Sequence, residues 1–505
     1  MMRTWPAAMA LIFALANAGC GTRAVDYPLV DTQRNQDHRA LTASADHPFV
    51  IIAFSGGGSR AAALAAGVTA RLDRVIYQTS SGPRRLSQDI AVVSSVSGGS
   101  VYATYLAING AGAAQAEAFQ KKIQDFDGIG YLAGKALNPL TWINLQLENK
   151  TRIDILQEML TDLLDTKATL ATLNRPNQPI FLLNAADLVS GEVFTFDPPT
   201  LDDLCMNYDQ TPLTLATTAS AAFPIAFTPV LLQNHSYVDM AGCPNRQIVP
   251  GDWRTQLKSP SGPYDNLESF RFARYRDPLR GGRYFNSGMS DPRPFRRPQY
   301  VRLVDGGVID NLGLTAVRRA LSTTGSPADL TPLIAQRRLK QLVIIVVNAR
   351  SDAVSPLDAS PEYLNIPTFA SSVAGTLVDS ASAASAATFR GFVLNLLSDR
   401  QRMLKDHIAG AEFEVYPIDI DFDQLPNTTV EEQTRLNTVK SIGTSWTLKR
   451  NDVPLLDSVA GELLWRHPCF IKLVAELQQA QATPDPNAHP IEGLRCPWPT
   501  VAESR

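Results

Sequence analysis

The sequence predicts an α/β fold, a three-layer sandwich with helices packed on both faces of a mostly parallel central sheet. Three observations predict it. Apolar runs without polar alternation recur at Ile51-Ile52-Ala53-Phe54, Ile90-Ala91-Val92-Val93, Pro179-Ile180-Phe181-Leu182-Leu183-Asn184 and Leu342-Val343-Ile344-Ile345-Val346-Val347, the pattern of strands covered on both faces. The first two end in small-residue turns that lead into helix-forming sequence: Ser55-Gly56-Gly57-Gly58-Ser59-Arg60 before an alanine run, and Ser97-Gly98-Gly99-Ser100 before Tyr102, Tyr105 and Leu106. Between the strand runs, Ile153, Leu156, Met159, Leu160 and Leu163 recur at helical spacing, a stripe that faces a core.

In order along the chain, Arg3 and an apolar stretch from Pro6 to Ala16 precede Ala16-Asn17-Ala18-Gly19-Cys20. The stretch is too short to span a bilayer, so residues 1–20 read as an export signal. Two processing outcomes compete. Ala16 and Ala18 fit simple cleavage to a periplasmic or secreted protein. Ala18-Gly19-Cys20 resembles a lipobox that would leave Cys20 lipidated in the cell envelope, with Asn17 where that motif has Leu. Residues 21–46 are polar and read as an irregular tether. Residues 47–475 hold the catalytic domain, with a strand near 49–54, a helix through about Tyr77, a strand at 90–95 and helices over 115–173. Tyr131, Leu132, Trp142, Ile143 and Leu145 are core residues or the rim of an apolar entrance. Asn184 and Asp187 end a strand, where loop-fixing hydrogen bonds explain such a polar pair as well as chemistry does. Residues 212–229 read as a helix stopped by Pro224.

Residues 230–300 read as an insertion. Arg271, Arg274, Arg276, Arg280, Arg283, Arg293, Arg296, Arg297 and Arg302 stand against Asp277 and Asp291, with Phe270, Phe272, Tyr275, Tyr284, Phe285 and Phe295 interleaved. This is a surface loop paired with acids elsewhere, or an arm that faces a membrane surface. Residues 301–304 form a strand into Asp305, helices follow at 312–321 and 368–400, and 476–505 is a Pro-rich tail.

Bulk properties narrow the function. The 505 residues suffice for one large domain with insertions or two domains, and a net charge of −3 gives no sign of a nucleic-acid partner. The five cysteines, Cys20, Cys205, Cys243, Cys469 and Cys496, lack the paired spacing of a zinc or redox site. Cys205 with Cys243, and Cys469 with Cys496, are candidate disulfides if the chain is exported; buried free thiols are the alternative.

Ser97 carries the chemistry. A serine on a strand-to-helix turn presents its hydroxyl to substrate. Here Ser95-Val96-Ser97-Gly98-Gly99 replaces the first glycine of the usual Gly-x-Ser-x-Gly. Small residues at such a turn equally serve tight helix–strand packing. The glycine loop at residues 55–60 opens a helix and offers unpaired amides suited to an anion. Val304-Asp305-Gly306-Gly307-Val308-Ile309-Asp310-Asn311 places an acid where a strand meets a glycine turn, and Ala219-Ser220-Ala221-Ala222-Phe223-Pro224 lies between.

These four motifs, in this order, resemble the bacterial branch of the patatin-like phospholipases, over roughly residues 47–475. The replaced glycine at Ser95 departs from the pattern. The resemblance implies a Ser97–Asp305 dyad with Asp305 as sole base, an oxyanion hole from the amides of Gly56, Gly57 and Gly58, and Arg60 as the loop arginine that supports the loop or attracts a phosphate. The amide of Gly98 is a further candidate donor. It implies no cofactor and no metal. The expected substrate is a fatty-acyl ester of a phospholipid or lysophospholipid.

Rivals remain open from the residues. None of the six histidines, His38, His47, His235, His407, His467 and His489, stands in a catalytic motif. Asp239 loosely imitates the acid turn. An α/β-hydrolase would use His407 or His467. Alternative functions are a carboxylesterase for small soluble esters and a non-catalytic envelope lipoprotein scaffold.

Overall fold

The apolar runs pair into one mixed sheet. Its strands are β1 (Ala24–Val25), β2 (Phe49–Phe54), β5 (Ile90–Val96), β6 (Ile180–Asp187), β7 (Glu192–Thr195), β8 (Val230–Gln233), β9 (Tyr300–Asp305), β10 (Gln341–Asn348) and β11 (Glu414–Asp421), while β3 (Ile76–Thr79) and β4 (Gly82–Arg85) make a separate hairpin. The computed structural model describes residues 24–25, 45–148, 150–224, 226–234, 300–322, 330–350, 366–407, 410–477, 489–491 and 493–496. The expected export signal with Cys20, most of the tether, the Arg-rich insertion from 235 to 299, Asp239 and Cys243 lie outside the described residues.

Strand order is β1-β8-β9-β6-β5-β2-β10-β11, with β7 on β6. From β6 to β11 the path is parallel, and β9 is antiparallel to both β6 and β8. Strands β8 and β9 are therefore adjacent partners, and the insertion joins two neighbouring strands. Ala24 and Val25, inside the stretch expected to be irregular, pair with Leu231 and Leu232 at the sheet edge.

Alternation along β2 shows the three layers. Val50, Ile52 and Phe54 enter one core and Phe49, Ile51 and Ala53 the other. The first core is roofed by α1 (Gly58–Arg74), α2 (Gly98–Asn109), α3 (Ala113–Asp125), with α4 (Gly128–Leu137), α5 (Pro139–Leu147) and α6 (Arg152–Leu164) beyond, and by α7 (Leu213–Ser220). On the opposite face lie α8 (Leu314–Ser322) and α9 (Ile366–Lys405), while α10 (Asp452–Arg466) and α11 (Pro468–Glu476) return to the first core. The stripe on α6 is buried as its periodicity requires. The helix expected to reach Tyr77 stops at Arg74 instead, because Ile76–Thr79 pairs with Gly82–Arg85 and Tyr77 donates its hydroxyl proton to buried Asp89.

Cys469 and Cys496 form a disulfide that ties the end of the chain to α11. Cys205 is also disulfide-bonded, with its partner outside the described residues. The bridge spans 27 residues of sequence, a loop whose closure is worth roughly 3–4 kcal/mol in the unfolded chain. Cys496→Ser is expected to lower the melting temperature while leaving the far-ultraviolet circular dichroism near wild type. A melting curve unchanged by the substitution would show that the bridge adds nothing to stability.

Candidate active site

Ser97 follows β5 directly and caps the N-terminus of α2 at φ 51° and ψ −122°. For a residue with a Cβ this is a strained conformation, costing of order 1–3 kcal/mol. The surroundings hold it there. Its amide donates to the Ser220 hydroxyl at 2.9 Å, and its carbonyl accepts from the amides of Ser100 and Val101. Gly99 is required by crowding, since a Cβ there would lie 2.6 Å from the carbonyl oxygens of both Phe54 and Ser55. The departure from glycine at Ser95 also has a physical reason. Ser95 is fully buried and its hydroxyl accepts from Ser100 at 3.0 Å, so the side chain stitches the strand to the first turn of α2.

Sheet register brings Asp305 to Ser97. Val96 pairs with Asn184 on one side of β6, and Asp305 pairs with the next residue, Ala185, on the other. The Ser97 side chain lies beside the Asp305 carboxylate, close enough to favour its charged form. The Gly307 amide donates to Asp305 Oδ1 at 2.8 Å. Burial pushes the Asp305 carboxyl up to about 6, against the Gly307 hydrogen bond and the Ser97 side chain that pull it down. The group is thus ionised at neutral pH, yet far more basic than an exposed aspartate.

A buried polar network locks the two sides together. Ser220 donates to the Asn184 carbonyl at 2.6 Å and exchanges a 2.8 Å hydrogen bond with Ser100. The Asn184 amide donates to Ser94, its oxygen accepts from Thr195, and Ser94 donates to the Gly313 carbonyl. The backbone after Ser220 holds the acid turn: Asp305 N donates to Ala222 O and Gly306 N to Ser220 O. Ser220 therefore touches both the Ser97 amide and the turn that follows Asp305. Its place in Ala219-Ser220-Ala221-Ala222 was visible in the sequence, but its role was not, because the network joins residues more than 100 positions apart.

The glycine loop lies across Ser97. A Cβ on Gly56 would stand 3.3 Å from the Ser97 Cβ and 2.2 Å from Asn311 Oδ1. The Gly56 amide, however, donates to the Asn311 carbonyl at 2.9 Å, so it is committed and unavailable as an oxyanion donor; that expectation is corrected. The amides of Gly57, Gly58 and Gly98 carry no hydrogen bond among the described residues. Gly57 and Gly58 have φ values of 137° and 60°, which favour glycine.

Arg60 is buried and holds the loop. Its Nε donates to the Ala349 carbonyl at 2.8 Å, Nη1 to the Ile442 carbonyl and Nη2 to Thr444 Oγ1. Desolvation lowers its pKa to about 10. Of the two roles expected for it, the geometry fits support of the loop. The segment it grips, 442–447, had no signal in the sequence. There the Ser445 carbonyl accepts from Ser59 N at 2.8 Å, bracing the first turn of α1.

The described histidines have other partners. His467 caps α11 and faces Asp419, and His47 faces Asp89. Among the described residues no histidine bonds to Ser97 or Asp305. Asp187 fixes its own loop through Val189 N. No group of three or more metal-ligating side chains is found among the described residues.

No curated protein matches the chain. Among solved structures it is similar to human GIVD cytosolic phospholipase A2, with a TM-score of 0.38 and 11% identity over 90% of this chain and 61% of that one. A second structure of that human enzyme, in complex with methyl gamma-linolenyl fluorophosphonate and terbium chloride, gives a TM-score of 0.29 and 14% identity over 66% and 43% of the two chains. Residues 52–241, which carry the glycine loop, Ser97 and Ser220 but end before Asp305, match the family model of the patatin-like phospholipases.

Proposed function

We propose that the protein is a serine acyl hydrolase acting on fatty-acyl esters of phospholipids or lysophospholipids through a Ser97–Asp305 dyad. The observation that carries this reading is Ser97, held on a strained strand-to-helix turn, beside a buried carboxylate whose pKa is about 6. A serine hydroxyl needs such a base to become a nucleophile. Asp305 accepts the Ser97 proton as Oγ attacks the acyl carbonyl. The negative charge that develops on the carbonyl oxygen falls to the amides of Gly57, Gly58 and Gly98. As the C–O bond to the leaving alcohol breaks, Asp305 returns the proton to that alcohol. Water then attacks the acyl-serine, with Asp305 again taking and returning a proton, and the free fatty acid leaves. The family match over residues 52–241 supports a lipid ester as substrate.

The Cys469–Cys496 bridge supports an oxidising compartment. We extend the reading to export, with Cys20 as the lipid attachment point and cleavage after Ala18 as the competing outcome.

The test is to treat the purified protein with a fluorophosphonate probe and to assay phospholipids, lysophospholipids and short-chain nitrophenyl esters side by side. Mass spectrometry should place the probe on Ser97, with fatty acid released from the lipids. Labelling together with turnover of short soluble esters alone would make the protein a carboxylesterase. Absence of labelling and of all turnover would leave only the scaffold reading.

A further inference from the structure

The α4–α5 hairpin carries large apolar side chains on its outer side. On α4, Tyr131 and Leu132 pack against the core, Tyr131 also donates to Asp162 at 3.1 Å, and half-exposed Lys135 donates to Glu158 at 3.0 Å, both acids on α6. Leu145 is buried and anchors α5. What faces outward is apolar. Ile129, Leu137, Leu140, Ile143 and Leu147 are between 49% and 84% exposed, and Gly134 has open space around it. A surface helix ordinarily shows the opposite arrangement, and a contiguous exposed apolar patch marks a docking face.

We propose that this hairpin is a docking surface for a phospholipid bilayer, and that it presents the lipid beside the catalytic glycine loop. The proposal rests on the acyl-hydrolase reading for its purpose, though not for its geometry. Three observations select a lipid surface. Residues 128–147 contain no Asp or Glu and a single cation, Lys135, so headgroup phosphates meet no repelling charge. The indole N–H of Trp142 donates to the Ala136 carbonyl at 2.8 Å within the hairpin; the ring can enter an apolar layer without stranding a donor. The exposed residues are Leu and Ile rather than the Tyr and Arg that anchor protein partners, and leucine is under-represented among the anchors of protein interfaces.

The root of the hairpin is also continuous with the site. Gly128 N donates to the Trp446 carbonyl at 3.3 Å and Ile129 N to Thr447 Oγ1 at 2.9 Å, while the neighbouring Ser445 carbonyl holds Ser59 N. One short segment thus binds the docking hairpin on one side and the loop of Gly57 and Gly58 on the other.

The experiment uses the full chain with Cys20→Ser, which removes any lipid anchor, with and without Leu137→Ser, Leu140→Ser and Leu147→Ser. Both proteins are floated with vesicles of diether phosphatidylcholine, which no esterase can cleave, at low and at about 1 M salt, where charge contacts are screened. The parent should co-float at both salt concentrations, and the triple variant should bind at least tenfold more weakly. Turnover of a short-chain nitrophenyl ester should stay within about twofold of the parent, since Ser97 and Asp305 are untouched. Equal flotation of the two proteins overturns the proposal. So does a parent that floats only at low salt, or a parent that stays off vesicles and is dimeric by size exclusion while the variant is monomeric. Flotation is read on uncleavable lipid, so a protein that binds but cleaves no ester would refute the acyl-hydrolase reading alone.

Discussion

Asp305→Asn is expected to lose about 10²–10⁴-fold in turnover of a soluble ester, and at about pH 8 to melt at a higher temperature than the wild type. The two effects share one cause. Burial raises the Asp305 carboxyl from 3.8 to about 6, so its ionised form costs the folded state roughly 3 kcal/mol above that pH. Between about pH 4 and about pH 6 the folded protein holds a proton that the unfolded chain releases, and stability falls as pH rises through this window. Above it the full cost is present. Asparagine carries no charge, and its oxygen keeps the Gly307 amide that Asp305 Oδ1 accepts from. The gain in melting temperature should therefore be small near pH 4 and largest above pH 7. Wild-type turnover should rise with pH through about 6 and level off, because the base works only when ionised.

Ser97→Ala should lose turnover to a similar degree and all fluorophosphonate labelling. It should also leave Asp305 without the neighbouring hydroxyl, so its stability at about pH 8 should not rise. The double variant should be little worse than either single one, since groups that act as a unit do not add. An active Asp305→Asn would move the base elsewhere, with Asp239 the first candidate. A variant less stable than wild type at about pH 8 would mean that the buried carboxylate is not the strained group proposed.

Much of this site was legible because its parts are local. The apolar runs at 51–54 and 90–93 announce buried strands, and the turns after them announce backbone geometry that glycine alone adopts cheaply. The antiparallel placement of β9 was not legible, since nothing in Tyr300–Asp305 records which neighbour it pairs with. That pairing, across Ala185, is what carries Asp305 to Ser97. The same holds for Arg60. Its motif position suggested either a phosphate ligand or a brace, and the carbonyls that decide the matter belong to Ala349 and Ile442, almost 300 and almost 400 residues away. Gly56 shows the limit of motif reading in another way. A triple glycine suggests three equivalent donors, yet the Asn311 carbonyl takes the first. The apolar outer face of α4–α5 was legible only as composition, because the contacts of Tyr131 and Lys135 with acids on α6 orient the hairpin, and periodicity cannot place them.

Gly98→Ala is expected to lower turnover by about 10²–10³-fold, the cost of losing an oxyanion donor, without touching either member of the dyad. A Cβ at Gly98 would stand 1.9 Å from the Gly58 carbonyl oxygen and 2.8 Å from its Cα, distances that no relaxation of side chains relieves. The glycine loop must move away from Ser97. It has nowhere to retreat, because the space on its other side is filled: a Cβ at Gly58 would meet the Ser445 carbonyl at 2.4 Å. The loop is thus wedged between the start of α2 and the segment that Arg60 grips. Displacing it misaligns the amides of Gly57 and Gly58 while Ser97 and Asp305 stay in place, so the loss should fall on kcat, with KM for a small ester little changed. Gly391→Ala is the matched control. Gly391 sits in α9 with nothing within 4 Å of its would-be Cβ, and alanine there should stabilise the helix by up to about 1 kcal/mol at unchanged turnover. Circular dichroism and melting curves on both variants separate local misalignment from unfolding. A folded Gly98→Ala protein with wild-type kcat would show that the glycine loop takes no part in stabilising the transition state.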